Sequence, residues 1–370
     1  MKRLFDRVVL RLLQATGMIA LWRFRHRREI AILMMHGVMD GDDGPAWTPL
    51  RPRLSRARLA QYLAALSRHY HFVSLAEAVD MIEGRRPLKE YSLVLSFDDG
   101  YRNNFTHALP VARRFAAPIS VFVSTGKIGA RSLFSFDRLD YVLQHSAGDH
   151  VEVRVGEVER TLPLGPRRAL ARAFAELRQA LKDGLGADLE FAPPLLRFIR
   201  DREAESGRSL ETLKESDDWA ALLDWEQVAA LAADPLVEVG SHSVDHTRLG
   251  LADDDTVRVQ LDGSKREIEQ RTGRPCPFLA YPNGSYSAAV AAAAREAGYA
   301  CGLTTDEGLN ATGADVMALR RIPVPPEAEP TALLALVAGL TSDLSALKAR
   351  LTGTVDARRP ASAREAYGPS

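Results

Sequence analysis

Seven short, mostly apolar runs recur along the chain, at residues 30–35, 92–97, 119–123, 237–240, 278–281, 301–304 and 321–324. Runs of this length between Gly, Asp and Pro residues predict strands buried on both faces. Between them, apolar residues fall at helical spacing. Leu59, Tyr62, Leu63 and Leu66 follow a candidate N-cap at Ser55, and a second short helix runs from the cap Ser74 to Ile82, ahead of Gly84. Residues 104–115 predict a helix with a start or kink at Pro110. Residues 225–232, 253–272 and the alanine-rich 288–297 predict three more, and 331–351 an amphipathic one near the end. Strands alternating with helices of this length predict parallel pairing and an α/β fold, a distorted (β/α) barrel.

The rhythm breaks between about 129 and 224. A short charged β-like stretch at 151–155 precedes a long helix over 166–181 and more helix up to Leu223. This predicts a mainly helical insertion on one face of the barrel. The resulting organisation is an amphipathic N-terminal helix over 1–29, a β/α domain over 30–325 with the insertion at about 129–224, and a C-terminal helix with a disordered tail over 326–370.

Composition narrows the function classes. Hydrophobic residues make up 46% and charged residues 26% of the 370, ordinary values for a globular chain. A formal net charge of zero gives no electrostatic reason to expect nucleic acid as a partner. The basic runs at 23–28 and Arg51-Pro52-Arg53 read as solvated faces. With only Cys276 and Cys301, a disulfide framework is excluded, though one bridge is not, and a Cys-ligated zinc is not suggested. Both read as small core or loop residues in a reducing compartment. At the N-terminus, Arg3, Arg7 and Arg11 oppose Leu4, Val8, Leu12 and Leu13. The apolar stretch is shorter than the ~20 residues a spanning helix needs, and no cleavage site follows it. A basic amphipathic helix of this kind fits a membrane surface or the body of the protein equally. The expectation is a cytoplasmic chain with peripheral membrane contact through that helix.

The chemistry collects at predicted strand ends. The run at 92–97 ends in Asp98-Asp99-Gly100. Adjacent carboxylates repel, so a cation between them or a raised pKa is expected, and Gly100 allows a sharp turn. An acidic turn capping the next helix is the plain structural alternative. The second pattern is Gly240-Ser-His-Ser-Val-Asp-His246. Two histidines separated by three residues share one face if the segment is helical, and can bind one metal. Asp245 is placed to orient an imidazole. A histidine pair alone is weak. Joined to an Asp-Asp turn, it makes a carboxylate-plus-two-histidine set that leaves positions open for water and substrate. In (β/α) barrels such groups gather at the carboxyl ends of strands, where His36, Asp98-Asp99, the 242–246 segment and Asn283 all fall.

These motifs, in this order, resemble the polysaccharide deacetylase family, the NodB-homology group of carbohydrate esterase family 4, over roughly residues 30–324. Ser96-Phe-Asp-Asp-Gly100 is similar to the family's Thr/Ser-Phe-Asp-Asp-Gly, and His242 to His246 to its His-Ser/Thr-x-x-His. The resemblance implies Asp98 as catalytic base and Asp99, His242 and His246 as ligands of a divalent metal, with Zn²⁺ expected and Co²⁺ or another divalent ion as alternatives. The family's Arg-x-Pro-Tyr-Gly corresponds to Ala280-Tyr-Pro-Asn-Gly284, which implies the Asn283 backbone N–H as oxyanion donor. The usual Arg, which would tether the catalytic Asp, is absent at Ala280. Arg321 is the candidate replacement, a surface arginine at a strand start being the alternative. Many members place a general acid in a late Leu-x-His motif, but no histidine follows His246. His36, in Leu33-Met-Met-His-Gly37, is the candidate substitute, with groove lining, plain packing and a proton shuttle on Asp98 itself as alternatives. Asp137, in Phe134-Ser-Phe-Asp-Arg-Leu139, resembles an element of related deacetylases and is expected to line the groove. Trp225 reads as core, and His69, His71, His107, His145 and His150 as surface or core.

The expected function is metal-dependent hydrolysis of N-acetyl groups from a polysaccharide or glycoconjugate, with an acetylated glycan or lipid-linked sugar as substrate. An O-acetyl esterase or other amidohydrolase on the same scaffold and a non-catalytic carbohydrate-binding relative are the rivals. A dehalogenase-like phosphotransferase is disfavoured, because its two aspartates are one residue apart and these are adjacent.

Overall fold

A computed structural model describes residues 13–39, 47–129, 133–212 and 219–340. In chain order the strands are β1 (Ala31–Met35), β2 (His71–Phe72), β3 (Ser92–Phe97), β4 (Ile119–Val123), β5 (His150–Val155), β6 (Val158–Pro163), β7 (Val237–Ser241), β8 (Phe278–Ala280), β9 (Cys301–Glu307) and β10 (Leu319–Pro323). The α-helices are α1 (Met18–Arg25), α2 (Arg56–Leu66), α3 (Leu75–Ile82), α4 (Leu109–Arg114), α5 (Ser135–Gln144), α6 (Arg167–Gly184), α7 (Pro193–Ser206), α8 (Trp225–Ala233), α9 (Asp254–Thr272), α10 (Ala288–Glu296) and α11 (Pro330–Val337).

Strands β1, β10, β9, β8, β7, β4 and β3 neighbour one another in that order, and β3 pairs back onto β1. All these pairings are parallel, so the α/β fold is a closed seven-stranded barrel. The short β2 attaches to the start of β3 outside the ring. Closure follows from the sequence pattern, because a strand with both faces apolar must be covered inside and out. Leu93, Leu95 and Phe97 of β3 belong to the large cluster shared with the surrounding helices, whereas Val94 joins Ile32, Phe122, Phe278, Ala280, Leu303 and Leu319 in a separate one. The second cluster is the barrel interior. It includes Leu75, Ala78, Val79 and Ile82 of α3, which plugs the amino end. Glu238 of β7 accepts the Leu75 and Ala76 N–H groups at 2.7 and 3.0 Å, anchoring the first turn of that plug. The same alternation sends Asp98, His242 and Arg321 inward at the opposite end.

Predicted caps appear where expected. Ser55 accepts the Arg58 N–H at 3.1 Å, and Ser74 forms a reciprocal capping box with Glu77. Residues 104–108 form a π-turn rather than regular α-helix, and α4 begins beside Pro110. The insertion is helical but also contains an antiparallel hairpin, β5 with β6. Its helix α7 stops at Ser206 with Gly207 left-handed, so the helix expected up to Leu223 ends early; Leu222 forms a bridge with Tyr101 instead. The insertion has its own core, in which Leu177 and Leu181 of α6 are fully buried with Phe174, Val153 and Leu195. The final helix is described only to its end at Val337, and residues 341–370 lie outside the described part. Residues 1–12, with most of the expected amphipathic segment, lie outside it too. In α1, Ile19 packs on Ala335, Ala338 and Leu340, while Leu21 and Phe24 remain exposed. No helix among the described residues is long and apolar enough to cross a membrane.

Candidate active site

The ends of β1, β3, β7 and β8 deliver side chains to one cavity of about 350 Å³, whose walls include His36, Asp98, Asp99, His242, His246 and Asn283. The adjacent carboxylates of the Asp-Asp turn avoid each other by backbone geometry. Asp99 has φ 77° and Gly100 φ 75°, so the chain reverses and the two side chains point to different partners. A Cβ at Gly100 would also lie 3.1 Å from Val123 and Ile128.

Asp98 faces Arg321. This arginine is fully buried, not a surface residue, and donates from Nη1 to Oδ1 and from Nη2 to Oδ2 of Asp98, each at 2.8 Å. Its Nε donates to the Thr304 carbonyl at 2.7 Å, so the fork is held at three points. Burial pushes the Asp98 pKa up, but Arg321 and His242 outweigh it and hold the carboxyl below its ordinary range.

Asp99 faces the histidines. Its Oδ1 lies 3.6 Å from His242 Nε2 and 3.5 Å from His246 Nε2. One ligand atom from each of the three residues falls within 4.8 Å of the others. Donors ~2.1 Å from a tetrahedral ion sit about 3.4 Å apart, so the cluster has the spacing a divalent cation requires. The Nδ1 of His242 donates to the Ala280 carbonyl at 2.7 Å, which fixes the tautomer and leaves Nε2 for a ligand. Burial lowers the His242 pKa, but its bond to Asp99 and the charge of Asp98 raise it overall. Burial and the neighbouring His242 push His246 down to about 3. Asp99 itself, despite burial, is held well below the carboxylate range by the histidines. A carboxylate and two crowded imidazoles in a buried pocket are electrostatically suited to a cation.

Two expectations are corrected here. Residues 242–246 are not helical; left-handed backbone at Ser243 (φ 62°) and His246 (φ 59°) folds the segment back and brings the rings to a centroid distance of 4.9 Å. Asp245 does not orient an imidazole. It accepts from Gln260 Nε2 at 2.9 Å, and the His246 Nδ1 is buried without a partner. His246 is steadied by Phe134, whose ring meets it edge-on at 5.3 Å.

Asn283 occupies a left-handed turn (φ 55°) on the cavity wall. The turn's bonds run from Gly284 N–H to Tyr281 O and from Ser285 N–H to Pro282 O, and neither uses the Asn283 N–H. His36 follows β1 and is exposed to the groove, yet the walls crowd it enough to lower its pKa against the opposing pull of Asp99 and Asp98. The π-turn positions it: Asn104 Nδ2 donates to the His36 carbonyl at 2.7 Å, and Asn103 accepts the Val38 N–H at 2.9 Å.

The insertion supplies the facing wall with Phe134, Phe136, Arg178, Lys182 and Glu190. Asp137 does not line the cavity. It is fully buried behind the wall, where it binds Arg51, accepts from Arg53 at 3.0 Å and accepts the Tyr101 hydroxyl at 2.7 Å. Arg51 and Arg53 are therefore not a solvated basic run; their side chains are 22% and 5% exposed. Sequence reasoning missed Arg178 and Lys182, which sit one helical turn apart on the inner face of α6, and Tyr101, which follows the Asp-Asp-Gly turn directly. Trp225 is half-buried under Arg271, at 5.4 Å from its ring centre. Both cysteines are buried and free.

A family model described as polysaccharide deacetylase matches residues 194–302, a span that contains both histidines and the 280–284 turn. Over that span, under a third of the chain, the sequence is similar to the polysaccharide deacetylase family. Solved structures show the same fold. The deacetylase PplD of Streptococcus pyogenes, in complex with acetate, is 18% identical over 84% of this chain and 98% of its own, with a TM-score of 0.52. IcaB from Ammonifex degensii is 18% identical over 84% of this chain and 97% of its own, with a TM-score of 0.51. A de-N-acetylase from Aggregatibacter actinomycetemcomitans is 14% identical over 83% and 99%, with a TM-score of 0.52. No curated protein matches. At Ala280, where the resemblance implied an arginine, no guanidinium is present, and one from β10 stands against Asp98 instead.

Proposed function

We propose that the chain hydrolyses N-acetyl groups from a polysaccharide or glycoconjugate, using a divalent cation, Zn²⁺ by preference, held by Asp99, His242 and His246. The observation that carries this reading is the pairing of that cluster with a separately clamped, ionised Asp98 in one cavity. The cation, when bound, supplies Lewis acidity, which acidifies water and polarises a carbonyl oxygen. Asp98, held by Arg321 and facing the cavity, accepts the proton of the attacking water. The Asn283 N–H donates to the oxygen on which negative charge develops. His36 gives a proton to the departing amine at the groove side, and the walls of the insertion exclude bulk water.

A second reading keeps the site and changes the bond. His36 stands exposed at the mouth rather than deep in the cavity, and an alcohol leaving group needs its proton less than an amine does, so an O-acetyl ester also suits the geometry. Basic Arg23 and Arg25 beside the exposed Leu21 and Phe24 support peripheral contact of the N-terminal region with a cytoplasmic membrane surface.

The test is Asp98→Asn, assayed for bound metal and for acetate release from matched N- and O-acetylated glycans. The variant is expected to keep its metal and lose at least ~100-fold in rate. Release at the native rate would overturn Asp98 as base, and release from esters alone would replace the amide reading.

A further inference from the structure

Beside the metal cavity lies a second cavity of about 270 Å³. The two share Met34, His36, Arg51 and Arg178 in their walls and so form one groove. Among the described residues, the second cavity is lined by three guanidiniums, Arg51, Arg53 and Arg178, and by no carboxylate. Behind the wall, Asp137 is the one carboxylate among the described residues that bonds both Arg51 and Arg53. Arg178 has no anionic partner among the described residues; its Nε is buried and unbonded, and its guanidinium carbon lies 5.2 Å from the Phe136 ring centre. Lys182, one turn further along α6, faces the metal cavity and is likewise unpaired among the described residues. Glu190, the carboxylate nearest in character, is already engaged by the Ser135 N–H at 2.7 Å and by Lys127.

Unpaired cations in a buried wall are costly. Burial first, and then Arg51, lower Arg178 to about 10, and burial first, and then Arg178, lower Lys182 to about 8, so each cation sits desolvated and beside a like charge. A ligand anion relieves that crowding. The wall is also prepared for it: Asp137 and Tyr101 fix Arg51 in place, and Gly37 leaves room for Arg53, since a Cβ there would lie 2.6 Å from its Nη1.

We infer that the second cavity is an anion subsite, so that the substrate is an acetamido sugar carrying an oxyanion group, a carboxylate or a phosphate, on the same or the adjacent sugar unit. Planar guanidiniums take either group through paired N–H donors. The inference deepens the deacetylase reading by naming the substrate class, and rests on it for which sugar atom meets the metal cavity.

Binding is measured by calorimetry on metal-loaded Asp98→Asn protein, with N-acetylglucosamine, its 1-phosphate and N-acetylmuramic acid. At low salt at least one anionic sugar is expected to bind 10-fold or more tightly than the neutral one, at ~10-fold the lower limit for one charge-assisted pair. The arm that binds identifies phosphate or carboxylate. Adding Arg178→Gln or Lys182→Gln should shrink that preference, whereas Arg172→Gln, on the exposed face of the same helix, should leave it intact. Equal affinity for all three sugars, or a preference that survives Arg178→Gln in protein of native melting temperature, overturns the subsite. Acetate release by the native enzyme is read in parallel. Release without anion preference removes the subsite and leaves the deacetylase; anion preference without release from any sugar does the reverse.

Discussion

The barrel and the insertion face each other across one groove, and they hold their side chains in different ways. On the barrel side two reacting groups are pinned by polar bonds to other strands: Asp98 to Arg321 of β10, and His242 to the carbonyl of Ala280 on β8. On the insertion side Phe136 is held by packing within a separate core, Arg178 lies over its ring, and the Arg178 Nε has no hydrogen-bond partner among the described residues. Strand ends give positional precision to a metal cluster and a base, which is what proton transfer demands. A helical wall with unpaired cations gives selectivity for what lies beyond the reacting bond. The division predicts that damage on the two sides should look different.

The largest effect is expected on the barrel side. Arg321→Met leaves the Asp98 carboxylate buried without its partner, which should cost about 3–5 kcal/mol of stability and, by freeing the base, at least ~100-fold in rate. Denaturant unfolding and acetate release check both. A variant of native stability would show that Asp98 has another counter-charge. On the insertion side, Leu177→Ala removes a fully buried side chain from that region's own core and should cost about 2–5 kcal/mol. Hydrogen exchange should rise in α6 and α7, while metal affinity, set by barrel strands, stays native. Loss of metal binding in Leu177→Ala would merge the two regions and end the comparison.

A smaller effect is electrostatic. Asp140 of α5 is pushed up to about 7 by burial, even though it accepts the Leu50 N–H at 2.8 Å and a bond from Gln144. Because the fold favours the protonated form, the stability it contributes is full below the ordinary carboxylate pKa and is lost as pH rises toward about 7. The insertion should therefore loosen between about pH 4 and 7 by more than ~1 kcal/mol, and Asp140→Asn should flatten that slope. A slope unchanged in the variant would place the titration elsewhere.

This contrast also explains what could be read from sequence. Barrel strands are apolar on both faces, so Ser92–Phe97 and Ile119–Val123 coincide with the predicted runs, and the polar residues at their ends stand out against them. The insertion has no such signature. The second strand of its hairpin, Val158–Pro163, mixes charge with two apolar positions, and nothing in the local pattern of α6 distinguishes Arg178 and Lys182 from solvated residues. Their role depends on which face the helix turns to the groove, a tertiary fact. The same limit appears at 242–246, where four-residue spacing suggested one helical face and two left-handed residues produce the convergence instead. It appears again at Arg51-Pro52-Arg53, a surface run by composition that Asp137, far along the chain, draws into the wall.

The central claim is that the Asp99, His242 and His246 cluster holds a divalent cation required for deacetylation. It is tested most directly by stripping the native chain with a strong chelator, titrating Zn²⁺ or Co²⁺ back by calorimetry, and following acetate release from an N-acetylated glycan at each step. The account predicts one high-affinity site per chain, activity that vanishes on stripping and returns in proportion to occupancy, and loss of that site in His242→Ala. Undiminished acetate release from fully stripped protein, or a high-affinity site that survives His242→Ala, would contradict it.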